Sequence, residues 1–400
     1  MRDEIFNKII ADLKNTPFEE LFKKNTSKEV NEIIYNEFIN LGCKKDEILK
    51  HCADIIPVEY VNIHKINQDS KSKEMFDYFE SIINKAFKVS KKQVIEIMYE
   101  FEEYLNNASD KFMVNYSLEA DKNNDDLYEF CTIIFEEMGK LLEATIKPYL
   151  SIYLALIKVI ENKYTSFSEI RCKTLGGLIF EIEENKMYRK NIVYRDSIYN
   201  IKLSDIRNIC KHEEYIVVGN EVICKYGKNL SKEIRTNKEQ IINVFLECEN
   251  KLVCMRVPLT IFIMSKLSSY VRDSGIHINE IRKSNDNDGT RYIDEIFYSL
   301  VYLLSQGYMT IDIKQQSNVL KLLLKDLANE DVKWRTSYLM AYLFGCYVNL
   351  AKGYKYIDIT YLDYKGDKYL DLLIDCTKHS EVEDIEDFIS KAQIKKYVND

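Results

Sequence analysis

Apolar positions along this 400-residue chain fall mostly three and four residues apart, the spacing that gives a helix one buried face. From Met1 to about Lys85 the pattern comes in short amphipathic segments. Thr26 or Ser27 stands where a helix N-cap belongs, and LGCKKDEILKHC restarts a helix after Gly42. A helix-turn-helix reading of that hairpin is weakened by the lack of a clustered basic recognition face. Helical spacing resumes near Ser90 and breaks at DKNNDD, Asp121 to Asp126. After the break, DLYEFCTIIFEEMGKLLEATIK and YLSIYLALIKVIENKY read as buried bundle helices, with Pro148 marking their junction or a kink.

A further helix is expected over about Ser168 to Glu184, and another over about Ser204 to Glu214. YIVV and EVICKY are rich in β-branched residues, and Gly219-Asn220 between them suits a tight primed turn, so a hairpin is predicted there. TNKEQIINVFLECENKLVCM then restores the helical period, with Thr236 as the N-cap. Beyond Pro258 the pattern predicts helix to about Leu350. YKYIDITYLDYKGDKYLDLLIDC forms a second hairpin, turning at Lys365-Gly366-Asp367. The expected fold is therefore mostly α: a helical region over 1–120, a helical bundle with a short β-hairpin over 121–260, and an α+β region over 261–400.

Composition supports this outline. A 46% apolar content can bury a sizeable core, and only 4 prolines and 12 glycines favour long helices with short polar loops. The net charge of -8 argues against a chain that coats nucleic acid along its whole surface, although a local basic site is compatible with it. The 10 cysteines include no C-x-x-C pair, so buried reduced thiols in a cytoplasmic protein are expected. MRDEIFNKII lacks the apolar core of a signal peptide, and YLALIKVI and VPLTIFIM are too short to cross a bilayer, so a soluble protein without a membrane partner is expected.

Candidate chemistry centres on the 5 histidines. Arg207 and His212 share one predicted helix, and Arg272 and His277 repeat the spacing. In the first pair, Arg207 lies in the first turn of the helix if Ser204 is its N-cap, where the macrodipole and free N–H groups favour a phosphate. Leu203, Ile206, Ile209 and Cys210 form the apolar stripe, so His212 points almost opposite to it. Asn208 shares a face with His212, four residues before it. On one helix, Arg207 and His212 stand about 140° apart and ~7.5 Å apart along the axis, so two such helices are needed to focus both on one phosphate. Arg grips a phosphodiester and His moves a proton near neutrality, a pairing suited to RNA cleavage without a metal. The alternative is that both merely decorate a solvated face. Arg272 and His277, with Gly275 between them, read as a helix end and a chance match. SNDNDGTRYIDE, which partly matches a calcium loop, and the carboxylates of DYKGDKYLDLLID read as a solvated loop and hairpin-edge charges.

The string R-N-I-C-K-H, with Arg207, the polar Asn208 and His212, resembles the signature of the HEPN superfamily. KTLGGLIFEI before it, with Gly176 or Gly177 at the start of a helix, and the hairpin and TNKEQIINVFLECENKL helix after it resemble the elements flanking that signature. The likeness covers about Asp125 to Pro258. It implies a HEPN-like bundle and a metal-independent endoribonuclease acting as a homodimer. The catalytic residues would be Arg207, Asn208 and His212, with Lys211 and Tyr215 beside Arg207 as substrate contacts. No cofactor or metal is implied, the partner would be RNA, and an antitoxin or defence-complex protein would restrain a toxin or anti-phage effector. Tyr215 lies three residues after His212 rather than two, which departs from the subgroup whose motif tyrosine is modified by an antitoxin. A HEPN-like module that binds RNA without cutting it, or serves as a regulatory interaction protein, is the competing expectation.

Overall fold

The computed structural model describes residues 2–52, 55–117, 126–163, 165–267, 291–351, 354–377 and 385–397. In chain order, α1 (Arg2–Lys14), α2 (Phe18–Phe22), α3 (Ser27–Asn40), α4 (Lys45–Lys50) and α5 (Ile55–Gln68) come first. Then follow α6 (Ser70–Val89), α7 (Lys91–Ser117), α8 (Leu127–Lys140), α9 (Lys147–Ile160), α10 (Phe167–Arg171), α11 (Leu175–Glu184), α12 (Asn191–Tyr194) and α13 (Leu203–His212). Strands β1 (Tyr215–Val218), β2 (Glu221–Tyr226) and β3 (Lys232–Thr236) lead to α14 (Lys238–Phe262). The C-terminal elements are α15 (Arg291–Ser305), β4 (Tyr308–Gln316), β5 (Val319–Asp326), α16 (Val332–Ala351), β6 (Tyr356–Leu362), β7 (Lys368–Asp375), α17 (Ile385–Lys391) and β8 (Ala392–Lys396). The chain is mostly helical, as the apolar spacing predicts.

Two compact units emerge, one of residues 65–263 and one that joins 1–64 to 264–400. They differ from the expected segments 1–120, 121–260 and 261–400. α6 and α7 belong with the helices that follow Asp126, because the buried stripe of α6 (Phe76, Phe79, Ile82, Ile83) packs on α9 and α14. The Phe79 and Tyr153 rings lie 4.4 Å apart at their centroids. Likewise, α1 packs on β4 and α15, so the N-terminal helices and the C-terminal strands share one core.

In the 65–263 unit, α8 and α9 form one rod interrupted by a π segment at Leu141–Ile146. Pro148 explains the interruption. It lacks an N–H, so the carbonyl four residues before it has no α-helical donor, and Lys147 N instead bonds Leu142 O, five residues back. The hairpin forms as expected, with Val218 opposite Glu221 and Gly219 at φ +61°. A third strand, β3, adds to it. Thr236 ends that strand, and the N-cap of α14 is Asn237, in a capping box with Gln240. α14 runs through Pro258 instead of ending there. The expected helix over Ser168–Glu184 is two helices, the second capped by Thr174.

In the other unit, helix was expected from beyond Pro258 to Leu350, yet 308–326 forms β4 and β5. The burial of β5 alternates, with Leu320, Leu322, Leu324 and Asp326 inward. The run VLKLLLKD satisfies helical spacing as well, which is why pattern alone misassigned it. The sheet order is β4-β5-β6-β7-β8, antiparallel except for β5 and β6, which are parallel and joined through α16. The second hairpin turns at Gly366, φ +93°, as expected. The cap of α3 is Thr26, in a capping box with Glu29. α4 has only six residues, too few to serve as a recognition helix. The described cysteines are free thiols, most of them buried.

Candidate functional site

α13 carries the motif. Its stripe of Leu203, Ile206, Ile209 and Cys210 is buried, as the sequence predicts, and Lys202 rather than Ser204 is the N-cap. Two glycines let neighbouring helices come close. A Cβ on Gly139 of α8 would sit 3.3 Å from Cys210 Cβ, and one on Gly176 of α11 would sit 3.5 Å from Ser204 Cβ. The helix ends at Glu213, which adopts φ +53°, and Glu214 N bonds Ile209 O at 3.1 Å to close the last turn.

This close packing leaves a cleft of about 420 Å³, walled by α8, the π segment, α13 and the start of β1. Arg207, Lys211 and Tyr215 line it together with Lys140, Glu143 and Phe135. The Tyr215 ring packs on Phe135 with centroids 4.6 Å apart, and burial pushes its hydroxyl above the ordinary tyrosine range. Arg207 is 15% exposed in its side chain. Its Nε donates to Glu143 Oε2 at 2.9 Å and its Nη1 to Asn208 Oδ1 at 3.1 Å. Nη2 has no partner among the described residues.

Glu143 also accepts from Lys147 Nζ at 2.8 Å. Burial works to raise its carboxyl, but the Lys147 ammonium and Arg207 guanidinium outweigh that and hold it below the ordinary glutamate range. The carboxylate therefore stays ionised and fixes Arg207 by one edge, leaving the remaining guanidinium N–H groups for an anion.

The structure thus brings Arg207, Lys211 and Tyr215 to one cleft. Asn208 touches Arg207 but is exposed. His212, the last residue of α13, is exposed and does not line the cleft. Glu143, Lys140 and Lys147 were not read from the sequence. Glu143 lies 64 residues before Arg207, and the one local signal was Gly139, a lone glycine inside an apolar helix that marks close packing.

Arg272, His277 and the loop over 284–290 lie outside the described residues. Among the C-terminal carboxylates, Asp371 binds Thr360 Oγ1, Lys368 Nζ and Tyr397, while Asp363 accepts from Asp367 N across the turn. Those are hairpin contacts, as expected. Among the described residues, no three His, Cys, Asp or Glu side chains gather as a metal site requires, and no helix is long and apolar enough to cross a membrane. No protein-family model, curated protein or solved structure matches the chain.

Proposed function

We propose that the chain is a HEPN-type, metal-independent endoribonuclease that works as a homodimer. The observation carrying this reading is Arg207, held by Glu143 in a cleft beside Lys140 and Lys211, with an Nη2 that no described residue engages. A phosphodiester fits the free Nη2; Lys140 is paired with Glu136 at 2.6 Å, so Lys211 is the cation that adds counter-charge. In the step proposed, a ribose 2′-oxygen bonds to the adjacent phosphorus and the bond from phosphorus to the 5′-oxygen breaks. The 2′-hydroxyl proton passes to a base and the departing 5′-oxygen takes one from an acid, roles that His212 fills. One chain keeps Arg207 in the cleft and His212 outside it, so both reach one phosphate only when two copies meet. Asn208, joined to Arg207, orients the guanidinium. A cytoplasmic toxin or anti-phage effector held in check by an antitoxin or defence partner is the role this chemistry fits.

The position of His212 outside the cleft also favours a second reading, an RNA-binding module that does not cut. Incubating RNA with the protein in EDTA separates the two. The nuclease reading expects cleavage with 2′,3′-cyclic phosphate ends, resistance of a substrate carrying 2′-deoxyribose at the scissile position, and a rate loss of ~10²–10⁴-fold in His212→Ala. RNA retained without cleavage leaves the binding module. A His212→Ala protein that cuts as fast as wild type removes this site from the reaction.

A further inference from the structure

A separate cavity lies wholly within the unit that joins 1–64 to 264–400. Its volume is about 740 Å³, in the range of small-molecule sites. Four tyrosines wall it: Tyr35 of α3, Tyr302 of α15, and Tyr338 and Tyr342 of α16. Tyr338 and Tyr342 are nearly parallel, 18° between planes and 6.1 Å between centroids, while Tyr302 meets Tyr342 edge-on at 5.8 Å. Tyr338, ranged between Trp334 and Tyr342, is 45% exposed, so part of this aromatic wall is open to a ring that enters.

On the polar side, Asn31 and Gln306 pair their amides in both directions, each bond 3.1 Å long. Gln306 is 8% exposed and spends its second N–H on Ser305 Oγ at 3.2 Å. Each amide carries two donors and two acceptor lone pairs. One Asn31 N–H and one acceptor on each carbonyl oxygen are therefore left, fixed in orientation by the pairing. A wholly apolar occupant would strand these groups at a cost of about 1–3 kcal/mol each. A heterocycle that carries both donors and acceptors on its rim, as a nucleobase does, would satisfy them, although the bidentate edge of each amide is already spent on the other.

Charge narrows the ligand further. Among the lining residues Lys28 lies 3.9 Å from Glu32, Lys45 and Glu330 carry opposite charges, and the remaining cation, Arg335, is neutralised by Asp326. Glu330 is itself held by Ser27 N and Oγ. The cavity therefore offers no surplus positive charge to a polyphosphate.

We infer that this cavity is a binding site for a neutral nucleoside or its free base, packed against the Tyr338 ring and held by the polar groups of the Asn31–Gln306 amide pair. The proposal is independent of the Arg207 cleft and stands or falls without it.

Trp334, the chain's one tryptophan, stacks on Tyr338 with centroids 6.3 Å apart and so reports on occupancy. Full-length protein is titrated with adenosine, guanosine, cytidine and uridine, and with their 5′-triphosphates, by calorimetry and by tryptophan emission excited at the red edge. The expected result is binding of at least one nucleoside with Kd below about 1 mM. Its triphosphate should bind roughly tenfold more weakly, because its phosphates lack counter-charge. Tyr338→Ala should weaken the nucleoside roughly tenfold and Tyr338→Phe should not, since that contact needs only the ring. Failure of all four nucleosides to bind overturns the proposal. So does a triphosphate that binds as tightly as its nucleoside, or a Tyr338→Ala protein that binds like wild type.

Discussion

Arg335 in one unit and Arg207 in the other are each fastened to a carboxylate, and the two are used differently. Arg335 is 1% exposed in its side chain. Its Nε and Nη2 grip Asp326 at 2.8 and 2.9 Å, Nη2 also reaches Gln306 O at 2.8 Å, and Nη1 reaches Ser27 Oγ at 2.9 Å. The guanidinium carbon lies 4.2 Å from the centre of the Tyr308 ring. Arg207 has one carboxylate contact, one amide contact and an open cleft before it. The first fork spends four of its five N–H groups on the protein and the second spends two. Fastening by a carboxylate alone does not mark a structural arginine; the count of unspent donors and the access of solvent to them do.

The contrast breaks most visibly at Arg335. Arg335→Leu should cost about 3–5 kcal/mol, because Asp326 would be left buried with its charge uncompensated. Adding Asp326→Asn should recover part of that loss. Denaturant unfolding of the single and double variants measures both, and a single variant within ~1 kcal/mol of wild type would remove the distinction.

Gly307 sharpens the same point. Its φ is +92°, and a Cβ there would stand 2.8 Å from Arg335 Nη2, so Gly307→Ala should cost about 2 kcal/mol in the same unfolding assay. Glycine is what lets the guanidinium close on the Gln306 carbonyl.

Arg207→Ala should behave oppositely. Stability should fall by no more than ~1 kcal/mol, since Glu143 is partly solvated. RNA affinity should fall by about 1–3 kcal/mol, and the slope of log affinity against log salt should lessen by about one. Filter binding at several salt concentrations reads both quantities.

The smallest effect concerns Glu143. Its folded carboxyl lies below its ordinary value of 4.5, so it contributes stability that is present above pH 4.5 and is lost as pH falls through the lower folded value. Glu143→Gln should therefore unfold with less acid sensitivity than wild type below pH 4.5, by under about 1 kcal/mol. Melting temperatures taken between pH 3 and pH 6 would show the two curves converging on the acid side.

What pattern could reveal follows from sequence distance. The α13 stripe, the Gly219 turn and the Gly366 turn depend on neighbouring residues, and each was legible. The grip of Glu143 on Arg207 joins residues 64 apart and leaves no local trace. The Ser27–Arg335 bond spans 308 positions, so the union of the chain's two ends was equally invisible. β4 and β5 failed for another reason: continuous apolar residues fit two periodicities, and only pairing with β6 chose between them. Of the candidate site, both the sharing of one cleft by Arg207, Lys211 and Tyr215 and the separation of His212 from it needed three dimensions.

The π turn at Leu141–Ile146 gives the rod from Leu127 to Ile160 one place where its length can change. Its bonds reach back five residues instead of four, so the segment holds one residue more than an α-helix would over the same turn. Deleting one residue there, other than Glu143, would let the ladder close as α without turning α8 against α9, so both buried faces would keep their partners. Deleting one residue inside α8 instead would turn the part before the gap by about 100° and carry its buried face off its partners.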